Sequence, residues 1–103
     1  GVAPDVMCFN TLVAGLAARG QLERADALLA QMARGGVAPD AFTFGPLLET
    51  CRRTGKRAQA RQYGRRMLRA GVPLSAFCVT SLRRSLGAAQ LRALAAEFGL
   101  VSH

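Results

Sequence analysis

An all-α chain, built from antiparallel helical hairpins stacked into a solenoid, is what this sequence predicts, and three observations predict it. The five residues Gly36-Val37-Ala38-Pro39-Asp40 repeat the opening Gly1-Val2-Ala3-Pro4-Asp5 and return in worn form as Gly71-Val72-Pro73-Leu74-Ser75, twice at an interval of 35 residues. Between the copies, apolar residues recur at three- and four-residue spacing, the period of a one-sided helix. Matched positions in successive copies also carry matched residue types. Self-similarity at one fixed period marks a repeat array, in which each unit buries its apolar face against its neighbours. At a helix junction the repeated phrase has a physical job. Glycine stops one helix, proline keeps the connection extended, and Asp or Ser caps the next.

The 103 residues read as one repeat region, with units at about 6–40 and 41–75 and a degenerate unit at 76–103. In the first unit a helix is expected from about Val6 to Arg19, with Phe9, Leu12, Val13 and Leu16 on its buried face, and Gly20 breaks it. A second helix runs from Leu22 to Arg34 with Ala25, Leu28, Leu29 and Met32 buried, and Gly35-Gly36 ends it. The second unit repeats this plan. Leu47, Leu48, Cys51, Gly55, Ala60, Tyr63 and Met67 take the places of Leu12, Val13, Leu16, Gly20, Ala25, Leu28 and Met32, each pair 35 apart. One local conflict stands out: Gly45-Pro46 lies six residues after Asp40, too deep for a first helical turn capped by Asp40. Either the helix starts late, with Thr43 as its cap, or it kinks; the late start is the favoured expectation. In the third unit Leu82 and Leu86 keep the first-helix face, and Ala95 and Phe98 keep two second-helix positions. Its inter-helix glycine has moved to Gly87, and its second helix stops near Gly99. Val101-Ser102-His103 reads as a tail, or else as a junction to another domain.

Composition narrows the function classes. Half of the residues are hydrophobic, ample for a core, yet no run of about twenty apolar residues exists to span a membrane. Cys8, Cys51 and Cys78 are odd in number and far apart, and His103 is the only histidine, which argues against a zinc site or a disulfide framework. The thiols are expected to be structural or free, in a reducing compartment. Six acidic residues and one histidine form no clustered acid–base or metal set, so no catalytic residue, cofactor or small-molecule substrate is expected. The net charge of +8 suits a polyanionic partner. It is concentrated in residues 36–70, where eight basic residues face only Asp40 and Glu49.

The period separates the helical-repeat families. Tetratricopeptide repeats run about 34 residues with a Trp…Leu-Gly…Tyr pattern missing here, and HEAT and armadillo repeats are longer. The run Pro4-Asp5-Val6-x-x-Phe9-Asn10-Thr11-Leu12-Val13-x-Gly15-Leu16, followed by Gly20, Ala25, Leu28, Met32 and Gly36, closely resembles the pentatricopeptide repeat. Phe42-Thr43-Phe44-Gly45-Pro46-Leu47-Leu48-x-x-Cys51 is similar to a longer variant of it. The resemblance covers residues 1–75 well and 76–99 weakly. It implies a right-handed α-solenoid and sequence-specific binding of single-stranded RNA, in mitochondria or chloroplasts, with one base read per repeat. By this resemblance the base readers are Asn10 paired with Asp40, a combination the family uses for uracil, and Gly45 paired with Ser75. Thr80 opens a third pair whose partner position falls past residue 103, and Asp5 completes a repeat upstream. Met7, Phe42 and Phe77 occupy the positions that clamp each base.

Each assignment has a plainer counterpart. Asn is a mediocre helix residue, so Asn10 inside a strong helix is there either to read a base or to fasten a backbone group between repeats. Asp40 is also where a helix cap is needed. Met7, Phe42 and Phe77 serve as a clamp or as packing between first helices. Gly45 has no side chain to reach a base, so its repeat should read poorly or not at all. Arg57, Arg61, Arg65 and Arg69 make a stripe on a second helix, the outer side of this architecture, and read as a solvated face that attracts at long range. Arg52, Arg53, Arg83 and Arg84, at the ends of first helices, are better placed for phosphate, with contacts that weaken in salt. Stacking contributes about 1–3 kcal/mol per base, so two clamped bases give millimolar to high-micromolar binding at best. That fits the C-terminal end of a longer array. The rival reading is a protein-binding or assembly solenoid, for example in an organellar ribosome.

Overall fold

The computed structural model describes residues 6–72 and 74–99. Among them are six helices and no strand: α1 (Val6–Ala18), α2 (Leu22–Arg34), α3 (Ala41–Thr54), α4 (Arg57–Arg69), α5 (Ala76–Leu86) and α6 (Ala88–Glu97). They pair into three hairpins, α1–α2, α3–α4 and α5–α6, and the first helices α1, α3 and α5 pack side by side as one layer. The stack is elongated, 49 × 27 × 19 Å. Asp5 and the Val101–His103 tail lie outside the described residues.

The 35-residue correspondence holds through the first two hairpins. Gly20 and Gly55 occupy equivalent turns with φ of 74° and 70°, a left-handed conformation that costs glycine no Cβ clash. Val13, Ala25 and Met32 of the first hairpin, and Leu48, Ala60 and Met67 of the second, are fully buried in one continuous core. Cys51 and Cys78 are buried and Cys8 is exposed, all three as thiols. Burial pushes the Cys51 thiol up to about 11, so it stays protonated and packs as a small apolar group.

Three expectations need correction. The late start of α3 is wrong: the helix begins at Ala41 with Asp40 as N-cap and runs through Pro46. Two features make that possible. A reciprocal capping box, Asp40 with Thr43, fixes the first turn. The residue before proline is Gly45, which has no Cβ to meet the proline ring in the helical conformation. Thr43 is therefore the third residue of the helix and not its cap. Second, Leu12 is 56 % exposed, whereas its counterpart Leu47 is fully buried. Leu47 belongs to a helix flanked by α1 and α5, while among the described residues only α3 flanks α1 in the layer of first helices. Third, the second helix of the third hairpin is out of the 35-residue register. α5 is 11 residues where α3 is 14, and Gly87 both ends α5 and caps α6. Aligned on their caps Lys56 and Gly87, α4 and α6 match at an offset of 31, which puts Leu94 at the Tyr63 position. Leu94 is the buried residue of α6, while Ala95 and Phe98 are half-buried.

Polar ties cross the hairpins in both layers: the Thr50 hydroxyl of α3 donates to the Ala17 carbonyl of α1 at 2.8 Å, and residues of the second helices add more. The Tyr63 hydroxyl donates to Asp26 Oδ1 at 2.7 Å, joining α4 to α2. Arg57 donates to the carbonyls of Ser85 (3.1 Å) and Leu86 (3.0 Å), closing the C-terminal end of α5. Arg65 forks onto Glu97 of α6 at 3.1 and 3.2 Å. The arginine stripe is thus not simply a solvated face. Two of its four members fasten the third hairpin, and Arg61 and Arg69 are exposed. Gly64 allows the close approach: a Cβ there would stand 2.8 Å from a Leu94 methyl and 3.1 Å from one of Leu82.

Candidate nucleic-acid interface

The seam between α1 and α3 brings together the first predicted reading pair. Asn10 lies midway along α1 and Asp40 caps α3, so stacking the two hairpins sets amide against carboxylate. Asn10 Nδ2 donates to Asp40 Oδ1 at 3.0 Å. The same oxygen accepts the backbone N–H of Phe42 at 2.9 Å and of Thr43 at 3.1 Å, so Asp40 is both cap and pair member. Thr43, fully buried, completes the set: its hydroxyl accepts the Asp40 N–H at 3.0 Å and donates to Asn10 Oδ1 in a short bond. The plain alternative for Asp40, capping, is therefore realised, whereas Asn10 joins the repeats through the side chains of Asp40 and Thr43 and not through a backbone group. Capping coexists with a partly exposed amide–carboxylate pair. Sequence reasoning missed Thr43 as part of the site, although the Asp40-x-x-Thr43 spacing is that of a capping box.

Met7 and Phe42 stand near this pair on their helices and are 74 % and 79 % exposed. Large apolar side chains held in water at repeat positions are not core. Neither packs into the core among the described residues.

The second predicted pair differs. Ser75 caps α5 and accepts the Cys78 N–H at 3.2 Å, but Gly45 offers it nothing. Phe77 leans into the space instead: a Cβ on Gly45 would lie 3.4 Å from Cε1 of its ring. Phe77 is accordingly less exposed than Phe42, at 54 %, and serves partly as packing between first helices. Thr80 is half-buried on α5.

The arginines expected at phosphate divide. Arg52 is engaged by Glu49 on its own helix, through a short bond from Nη2 to Oε1 and a 3.0 Å bond from Nε to Oε2. The Arg52 hydrogen bond, with the charges of Arg52, Arg53 and Arg84 nearby, holds the Glu49 carboxyl below its ordinary range against a smaller opposing effect of burial. Arg53 reaches the Thr50 hydroxyl at 3.3 Å and is otherwise exposed, beside a shallow groove lined by Ala14, Ala18 and Pro46. Arg83 and Arg84 are exposed on the last turn of α5.

The family model of the PPR repeat family matches residues 4–53. The chain is a pentatricopeptide repeat protein. The matched stretch contains all of the first seam, including Asn10, Asp40 and Thr43, and ends in α3. No curated protein matches the chain significantly. Pentatricopeptide repeats are helical repeats that generally bind RNA. Among the described residues of this one, no helix is long and apolar enough to cross a membrane, and no group of three or more metal-ligating side chains is found.

Proposed function

We propose that this pentatricopeptide repeat chain binds single-stranded RNA and reads one uracil at the α1–α3 seam, in organellar RNA processing, stability or translation in mitochondria or chloroplasts. The base enters between Met7 and Phe42 and meets Asn10 and Asp40 by its Watson–Crick edge. One observation carries this reading: an amide donor and a carboxylate acceptor, 3.0 Å apart, lie at the seam that two exposed apolar side chains overlook. Uracil has a ring N–H between two carbonyls, so it answers a donor and an acceptor set side by side. The Gly45–Ser75 seam lacks the first reader and contributes stacking without discrimination. Arg53, Arg83 and Arg84 supply salt-dependent attraction to phosphate, and Arg52 joins them only by leaving Glu49. No catalytic step is involved.

The test is an NMR titration of the chain with pentanucleotides AAUAA, AACAA, AAAAA and AAGAA, following the Asn10 side-chain amide. Uracil is expected to bind tightest, and Asn10→Ala to level the four affinities. Equal affinities in the unaltered chain would refute base reading. The exposure of Leu12, whose counterpart Leu47 is sealed in a seam, favours a second reading as an assembly solenoid. Under that reading RNA of every sequence dissociates above physiological salt while a protein partner is retained.

A further inference from the structure

We infer that Thr43 is a positioning residue for the reading pair: its hydroxyl fixes the plane of the Asn10 amide, so that one N–H hydrogen is presented to the base. The inference rests on the base-reading function proposed above. Asp40 is a carboxylate and only accepts, so the amide nitrogen of Asn10 faces it and the amide oxygen turns toward Thr43. The Thr43 hydroxyl has one hydrogen and two acceptors in reach, Asn10 Oδ1 and, at 3.2 Å, Asp40 Oδ1. Asp40 Oδ1 already receives three N–H donors, from Asn10, Phe42 and Thr43. The hydroxyl hydrogen therefore goes to Asn10.

Two attachments matter because the terminal torsion of asparagine is broad. A single bond to Asp40 leaves the amide plane free to rock about that contact. The second bond, at the oxygen end, removes the freedom and leaves one amide hydrogen and Asp40 Oδ2 outside the bonds described. A reader whose own rotamer is locked by a supporting group discriminates better than one that adapts to each base. Thr43 is fitted for this support, since it is fully buried and its backbone N–H is held by the Asp40 cap.

The chain contains its own comparison. At a 35-residue offset, Asn10, Asp40 and Thr43 become Gly45, Ser75 and Cys78. Where the amide is lost the hydroxyl is lost with it, and the Cys78 sulfur lies 4.0 Å from the Ala41 carbonyl in place of a reader. The apolar positions Met7, Phe42 and Phe77 keep their character across the same offset.

Thr43→Val removes the hydroxyl at nearly constant shape, and Thr43→Ser retains it. With the pentanucleotide panel, Thr43→Val is expected to reduce the preference for uracil over cytosine by about fivefold, the worth of one neutral hydrogen bond. Thr43→Ser restores the preference. A merely structural role would lower affinity for every base together and leave the ratio unchanged. Undiminished preference in Thr43→Val, or its loss in Thr43→Ser, overturns the inference while leaving uracil reading intact. If the Val variant does not fold, Thr43→Ala, which also removes the hydroxyl, decides by the same ratio. Absence of any preference in the unaltered chain refutes the underlying reading itself, an outcome distinct from the other two.

Discussion

At the α1–α3 seam side chain meets side chain, amide to carboxylate to hydroxyl, beside a 2.8 Å bond from the Thr50 hydroxyl to the Ala17 carbonyl. At the α3–α5 seam an aromatic ring lies on a glycine in their place. The backbone treats the two alike, because the first helices form one continuous layer through both. Stacking two hairpins therefore does not require the Asn10–Asp40–Thr43 set. The full set is present at one seam and absent from the other, although both seams keep a cap on the following helix, Asp40 in one and Ser75 in the other. The third hairpin is held to the second from the α4 side as well, by the close approach at Gly64, the Arg57 cap on α5 and the Arg65–Glu97 fork.

The comparison breaks most severely if the space between α4 and the third hairpin is overfilled. Gly64→Leu, which copies the Leu29 of the first hairpin, drives a side chain into Leu94 and Leu82. It is expected to cost about 1–3 kcal/mol, read as a lowered urea midpoint. The uracil preference of the first seam should survive it. A smaller effect sharpens the contrast between the caps. Asp40→Ala loses two backbone acceptances and the Asn10 bond, and should cost about 1–2 kcal/mol. Ser75→Ala loses one acceptance and should cost about 0.5–1 kcal/mol. Thermal melts in the opposite order would show that the first seam is not the more tightly fastened. The smallest effect is electrostatic. The Glu49 carboxyl is held below its ordinary value of 4.5, so its contribution to stability is present above that value and is lost as pH falls through the lower folded value. Melting temperatures of Glu49→Gln and the unaltered chain should therefore differ slightly near about pH 7 and converge near about pH 3.

The two complete hairpins could be read from the sequence because a 35-residue offset preserves core, turn and cap together. The third could not be read in full: α5 loses a turn and a linker residue, so an offset of 31 replaces 35 and Leu94 escapes the pattern. The proline rule gave the wrong start for α3, since it weighs Pro46 without the glycine before it or the cap three residues earlier. The pairing of Asn10 with Asp40 came from family resemblance and not from local chemistry. Arg57 and Arg65 are long side chains that reach backbone carbonyls and a carboxylate 28 to 32 positions away, which no periodicity encodes. Thr43 was visible as a capping residue, but its bond to Asn10 depends on how two hairpins meet.

Pro46 has a consequence for how the start of α3 is held. With no N–H at that position, the Phe42 carbonyl loses its helical partner, and the first turn of α3 is joined to the rest by one bond fewer. What anchors that turn is the Asp40–Thr43 cap, and the same two residues hold Asn10. The start of α3 and the orientation of Asn10 therefore depend on the same two side chains, so a change at either is felt at both.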